Sequence, residues 1–164
     1  MASNPQIILI DGPAGAGKTT LSLKLQSELN CEVIHLDSLY NGWENALDQS
    51  LTNLLLGLVR AFLNGEEFEL PLFNWAKNEF DSSLIVKPAD ALIIEGVGAG
   101  QSAIRESANL LYWVEVDEEI GLQRVLERDG KEIESQMRRW KVSEAKHFEV
   151  ERTRDFADFI IATS

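Results

Sequence analysis

Apolar residues run along the chain in two rhythms, short unbroken runs that read as buried strands and four-residue spacings that read as helices. Residues 6–10 form such a run, ending at Asp11-Gly12, and predict a first strand. Leu21, Leu25 and Leu29 predict a helix over 18–29. Residues 32–36 predict a second strand, with Asp37 at its end. The leucine-rich stretch 46–63 predicts a helix that stops at Asn64-Gly65. Residues 66–90, with Pro71 and Pro88, read as a loop passing over the core. A third strand is predicted at 91–95, closed by Gly96, and a fourth at 110–116. Asp117 is placed to cap a helix from 118 to about 128, and a second helix follows from about 132 to 154. Residues 158–162 predict a fifth strand. Strands alternating with helices predict an α/β three-layer sandwich of about five parallel strands with helices on both faces. With no repeat, low-complexity tract or linker, residues 1–164 are expected to form a single domain.

Composition narrows the functional classes. At 164 residues, 45% apolar and 26% charged, the chain has the makeup of one globular domain with a sizeable core. Its net charge of -12 argues against a general nucleic-acid binder and against anionic membrane surfaces. The one cysteine, Cys31, excludes an internal disulfide framework and reads as a small packing residue. Residues 1–10 lack a basic flank and a long apolar stretch, so no signal peptide is expected there. Apolar runs such as Leu54-Leu55-Leu56 stop far short of the ~20 residues that span a bilayer, and a cytoplasmic location is the expectation. The charge is uneven: residues 121–154 hold nine Lys/Arg against seven acids, a net +2 on an otherwise acidic chain. Such an island suits either a local anionic ligand or a solvated helix laced with i,i+4 pairs.

The chemistry concentrates at residues 12–19, Gly12-Pro13-Ala14-Gly15-Ala16-Gly17-Lys18-Thr19, which fit G-x-x-x-x-G-K-[ST] in full. Such a loop turns backbone N–H groups inward around a phosphate, and side chains would block that approach. The helix behind it points its positive end at the same anion. Lys18 supplies a charge for the β/γ-phosphates, and the Thr19 hydroxyl is placed to bind Mg²⁺. Thr20 follows as a further cofactor-binding candidate. The expected strand precedes the loop and the expected helix follows it.

No Asn-Lys-x-Asp element of guanine-specific GTPases occurs, and the third strand ends in the single acid Glu95 rather than the acidic pair of many motor ATPases. The chain resembles the uridine kinase family of P-loop small-molecule kinases. The resemblance rests on the phosphate loop, His35-Leu36-Asp37-Ser38-Leu39-Tyr40, Leu70-Pro71-Leu72-Phe73-Asn74-Trp75, residues 88–96, residues 124–129 and residues 157–161, in the family's order. It implies ATP as donor, Mg²⁺ as cofactor and a small-molecule acceptor. Asp37 matches the family's catalytic acid, although an Asp there would also cap the next helix. By resemblance Glu95 helps to hold Mg²⁺; the alternative is a salt bridge to a Lys or Arg. Arg124 and Arg128, with Arg138 and Arg139 as further candidates, belong by resemblance to the approach and to a lid at about 128–142, at least one of them being a surface charge only. Tyr40, Trp43, Phe73 and Trp75 are expected to wall the acceptor pocket or to pack in the core. His35 and His147 lack a second ligand at metal spacing, and His35 reads as structural.

The chain departs from the family on the acceptor side. It carries Phe73-Asn74-Trp75 and Asn78 where the family has Tyr-Asp-Phe and a following His, and Asn41-Gly42-Trp43-Glu44 lacks the family's acidic sugar-binding context. Phosphoryl donation therefore carries over further than uridine as acceptor. The rival readings are a nucleotide or sugar-acid kinase and a partner-regulated ATPase without a small-molecule acceptor. The sequence carries no signal for an oligomeric state.

Overall fold

Side-chain alternation along the first strand divides the molecule into layers. The computed structural model describes residues 4–164; the expectation about a signal peptide falls partly on residues 1–3, outside them. In β1 (Gln6–Asp11), Ile7 and Leu9 enter one core and Ile8 and Ile10 the other. The glycine-rich turn leads into α1 (Lys18–Leu29), whose Leu21 and Leu25 cover the Ile8/Ile10 side. Then come β2 (Glu32–His35), a 3-10 turn at Leu36–Ser38 and α2 (Gln49–Leu63). The Asp48 carboxylate accepts from the Leu51 N–H, which starts α2 three residues later than the leucine pattern predicts.

β3 (Phe68–Asn74) and β4 (Glu79–Val86) follow, then β5 (Ala91–Glu95), a short α3 (Ser102–Arg105) and β6 (Leu110–Glu115). The Asp117 carboxylate caps α4 (Glu118–Asp129) as expected, accepting from the N–H groups of Glu119 and Ile120. A 3-10 turn at Lys131–Ile133 leads into α5 (Glu134–Glu151), and β7 (Phe159–Ala162) is the last strand. The Ile7/Leu9 side buries Leu55, Leu58 and Phe62 of α2, Leu122 and Val125 of α4, and Met137 and Trp140 of α5. The result is the three-layer α/β sandwich, with one five-stranded parallel sheet in the order β2-β5-β1-β6-β7.

The strand order reverses on either side of β1, which opens a crevice at the strands' carboxyl ends. Register puts Ile10 and His35 beside Glu95, so the ends of β1, β2 and β5 lie level at that crevice, which Glu95 lines.

The structure corrects one expectation: residues 66–90 form an antiparallel hairpin, β3 with β4, in place of a loop. The sequence conceals it because β4 leaves five consecutive positions exposed, so no alternation shows. Pro71 is tolerated because β3 is paired on one side only. The hairpin docks through Leu70 and Val86 into the α2 side of the core. The short α3 also lacks a periodic signal.

Candidate active site

A cleft of about 840 Å³ opens at the carboxyl ends of the central strands, bounded by the glycine-rich turn, the hairpin, α4 and α5. One half of it is backbone. A Cβ on Gly12 would stand 2.0 Å from the Val114 carbonyl oxygen, and one on Gly15 2.1 Å from the Gly121 carbonyl oxygen. These two glycines are therefore required by close packing of the loop on β6 and α4. Gly17 differs: its φ is +109° and the space before it is open, with a Thr163 methyl 3.8 Å away. At this point bare backbone faces the cleft at the start of α1.

Lys18 is buried and donates from Nζ to the Pro13 carbonyl at 2.8 Å. Burial lowers its pKa, opposed by the charges of Asp11, Glu144, Glu95 and Asp37. The Thr19 hydroxyl donates to Glu95 Oε2 at 3.2 Å, and His35 Nδ1 contacts the same oxygen. That contact raises the His35 pKa against the effect of burial. A hydroxyl beside a carboxylate suits a Mg²⁺ ion, a hard cation that keeps several waters and takes phosphate oxygens. Among the described residues there is no cluster of three or more His, Cys, Asp or Glu that would form an all-protein cage. Thr19 and Glu95 therefore fit a metal that arrives with a nucleotide.

The other half is built from side chains. Asp37, Tyr40, Trp43, Trp75, Ile133, Met137 and Trp140 line it. Trp43 meets Trp75 edge-on at 5.4 Å and Trp140 at 6.4 Å, and Tyr40 lies 5.2 Å from Trp140. Most polar atoms of this wall already have partners. The Tyr40 hydroxyl donates to the Val97 carbonyl at 2.6 Å, and the Trp75 indole N–H donates to the Asp37 carbonyl at 2.8 Å. Asp37 reaches solvent through the cleft mouth; crowding by the walls raises its pKa, with Glu95 adding to the shift and Lys18 and Arg128 opposing it.

Of the expected site residues, Ala14, Gly15, Gly17, Lys18, Thr19, Thr20, Asp37, Tyr40, Trp43, Trp75, Glu95, Arg124 and Arg128 line the cleft. Several do not. Gly12, Pro13 and Ala16 shape the loop from behind, with Ala16 fully buried in the α1-side core. Phe73 is buried behind Trp75 and packs between it and Phe80 at 5.1 Å each. Arg138 pairs with Glu134 and Glu119, and Arg139 bonds Ser135, both away from the cleft. The basic island is thus largely a laced helix surface. Arg124 donates to the Gly15 carbonyl at 3.2 Å and to Thr163 Oγ1 at 3.0 Å, while Arg128 makes paired bonds to Asp129. Glu95 meets Thr19 and His35 instead of a Lys or Arg.

Sequence reasoning missed Asp11, Trp140, Lys141 and Glu144, while His35, read as structural, stands behind Glu95 and outside the cleft lining. Asp11 is wholly buried and accepts from the N–H groups of Gly12, Gly98 and Gly100 at 2.7, 3.2 and 2.8 Å, which ties the turn to the segment after β5. Its signal was available: an acid ending an apolar strand, the same signal that singled out Glu95. The α5 residues announce themselves only through i,i+3 and i,i+4 spacing on one helix face, which ordinary packing also produces.

Central parallel strands, a phosphate-type loop opening a helix, and carboxylates at the crevice define a P-loop nucleotide-binding kinase fold. Residues 8–151 match the AAA domain family, and the chain belongs to it. No curated protein matches the sequence. Among solved structures, the chain is similar to a possible uridine kinase from Bacillus stearothermophilus, 20% identical with a TM-score of 0.68, covering 98% of this chain and 90% of that one. It is also similar to a candidate fructose transport system kinase from a Silicibacter species, at 19% identity and TM-score 0.74, covering 96% and 89%. A shikimate kinase from Acinetobacter baumannii matches at 20% identity and TM-score 0.55, covering 99% and 85%. At these identities the likeness is one of fold.

Proposed function

We propose that this protein is an ATP- and Mg²⁺-dependent kinase that moves a γ-phosphoryl group onto a hydroxyl of an uncharged small molecule, a nucleoside or sugar-like compound. One observation carries the reading: Asp37 opens onto the same cleft as Lys18, with an aromatic wall beside it. Lys18 and the loop N–H groups would hold the phosphates, and Asp37 would take the proton of the attacking hydroxyl. Its raised pKa brings it nearer the operating pH of a base. Thr19 and Glu95 would hold Mg²⁺, which when bound neutralises charge on the phosphates. An acceptor ring seated against the aromatic walls would displace water, the competing acceptor, from beside Asp37.

The cleft's cations support an uncharged acceptor. Lys18 and Arg124 are bonded to the loop and Arg128 to Asp129, so among the described residues lining the cleft no unengaged cation faces the aromatic end. Likeness to a possible uridine kinase supports a nucleoside, and the Phe73-Asn74-Trp75 departure allows other rings. Among the described residues no helix is long and apolar enough to cross a membrane, and a cytoplasmic location belongs to the proposal.

The test is an acceptor screen following ADP release, with nucleosides and neutral sugars set against shikimate and nucleoside monophosphates. A neutral ring should accelerate release, and Asp37→Asn should slow that reaction by ~10²–10⁴-fold while leaving the fold intact. Full-rate phosphorylation by Asp37→Asn rejects the base. Acceleration by a protein partner alone rejects the kinase.

A further inference from the structure

The tip of the phosphate loop is gripped by one helix on both sides of a single residue. The Ala14 N–H donates to Glu144 Oε1 at 3.0 Å, and the Ala14 carbonyl accepts from Lys141 Nζ at 2.8 Å. Lys141 Nζ also meets Glu144 Oε2 at 3.3 Å. Both side chains are nearly sealed from solvent, 7% and 4% exposed. The oxygen that takes the Ala14 N–H takes a second bond, from the Trp140 indole N–H at 3.0 Å. The Trp140 ring is itself part of the acceptor wall.

A buried ion pair is a poor way to attach a helix, since apolar residues of similar volume do so at lower desolvation cost. What the charged pair does, and apolar residues cannot, is bind the N–H and C=O of one residue at once and so fix how the loop is turned. The loop's phosphate affinity depends on that orientation, because its N–H groups must converge on the anion.

We infer that Lys141 and Glu144 are positioning residues of the phosphate loop, and that Trp140, sharing the Glu144 oxygen, couples the acceptor wall to nucleotide affinity. Ala14, Glu144 and Trp140 form a direct bonded path between the two halves of the cleft. Coupling of this kind is reciprocal: whatever shifts Trp140 shifts the grip on the loop, and a nucleotide on the loop shifts Trp140. The inference rests on the proposed function only in requiring that the loop bind nucleotide.

The full chain is titrated with the magnesium complex of a non-hydrolysable ATP analogue, by calorimetry and by indole emission, with thermal melts as the check on folding. Lys141→Met and Glu144→Gln should each weaken binding by about 10-fold or more, as expected for loss of a charged hydrogen bond. Trp140→Phe, which keeps an aromatic six-membered ring in the wall and removes the N–H donor, should weaken it about 5-fold and lose most of the emission change. Trp75→Phe removes an indole of the same wall with no bond to the loop, and should keep the emission change. Wild-type affinity in folded Lys141→Met and Glu144→Gln overturns the positioning role. A full emission response with unchanged affinity in Trp140→Phe overturns the coupling, even if the other variants do not fold. A wild-type chain that binds no analogue overturns the nucleotide reading itself, a different result from either.

Discussion

Asp11 makes the stability of this protein depend on pH in a direction opposite to that of most carboxylates. Burial pushes its carboxyl from 3.8 up to about 6, against the pull of three backbone N–H bonds and of Lys18. A pKa raised in the folded state means that the folded chain binds the proton more tightly than the unfolded one. The contribution is therefore full below about pH 3.8 and is lost as pH rises through about 6. The span between those values corresponds to about 3 kcal/mol. Asp11→Asn cannot titrate, whereas the other carboxylates titrate in both proteins and largely cancel in the difference. The wild type should thus lose about 3 kcal/mol relative to Asp11→Asn between about pH 4 and pH 7, with the change complete just above the folded pKa. Urea unfolding at half-unit pH steps and constant ionic strength measures it, provided both proteins keep the same denaturant slope. A difference that stays flat across the range refutes the reasoning. A difference of opposite sign would mean that the N–H bonds outweigh burial and that Asp11 is a stabilising anion.

Two glycines separate close approach from backbone strain. Gly15→Ala meets a backbone oxygen at 2.1 Å with φ +82° and should lower both melting temperature and nucleotide affinity, the latter by at least ~10-fold, as calorimetry would show. Gly65→Ala, at φ +72° with no atom within 4 Å, should cost only about 1 kcal/mol in unfolding and leave nucleotide binding alone. Arg138→Ala removes an exposed ion pair outside the cleft and should leave nucleotide affinity and turnover unchanged; a substantial fall in either would restore it as a functional arginine.

The middle of the sheet was legible because β1 and β5 are buried on both faces and read as unbroken apolar runs closed by Asp11-Gly12 and Glu95-Gly96. The phosphate loop was legible because close backbone packing and a left-handed φ leave few residue choices. The hairpin was not, since five exposed positions of β4 erase the alternation a half-buried strand would show. Phe73 and Trp75 illustrate the limit at the site itself. They are two positions apart, a spacing that would place both on one face of a strand, but β3 ends at Asn74, so Phe73 packs inward while Trp75 reaches the cleft. Arg124 and Arg138 look alike in sequence; one braces the loop and the other a surface helix turn, because their faces differ by the rotation of two separate helices.

The two halves of the cleft are therefore made of different material. The donor half is main chain, held by Gly12 against Val114, Gly15 against Gly121, and Ala14 between Lys141 and Glu144, so its shape is established before any ligand arrives. Preorganised N–H groups need no rearrangement as charge moves on the phosphates. The acceptor half consists of aromatic and apolar side chains from the segment after β2, the hairpin and α5, elements at the margins of the sheet. Side chains there can be exchanged without disturbing the loop, whereas most changes in the loop collide with backbone. A fold built this way allows the side-chain wall to change while the main-chain loop stays fixed. Glu144 is the point where the two materials meet, one oxygen on the loop's backbone and on the acceptor wall's Trp140 at once. Drift of the acceptor wall at position 140 thus carries a consequence for the loop that drift at position 75 does not.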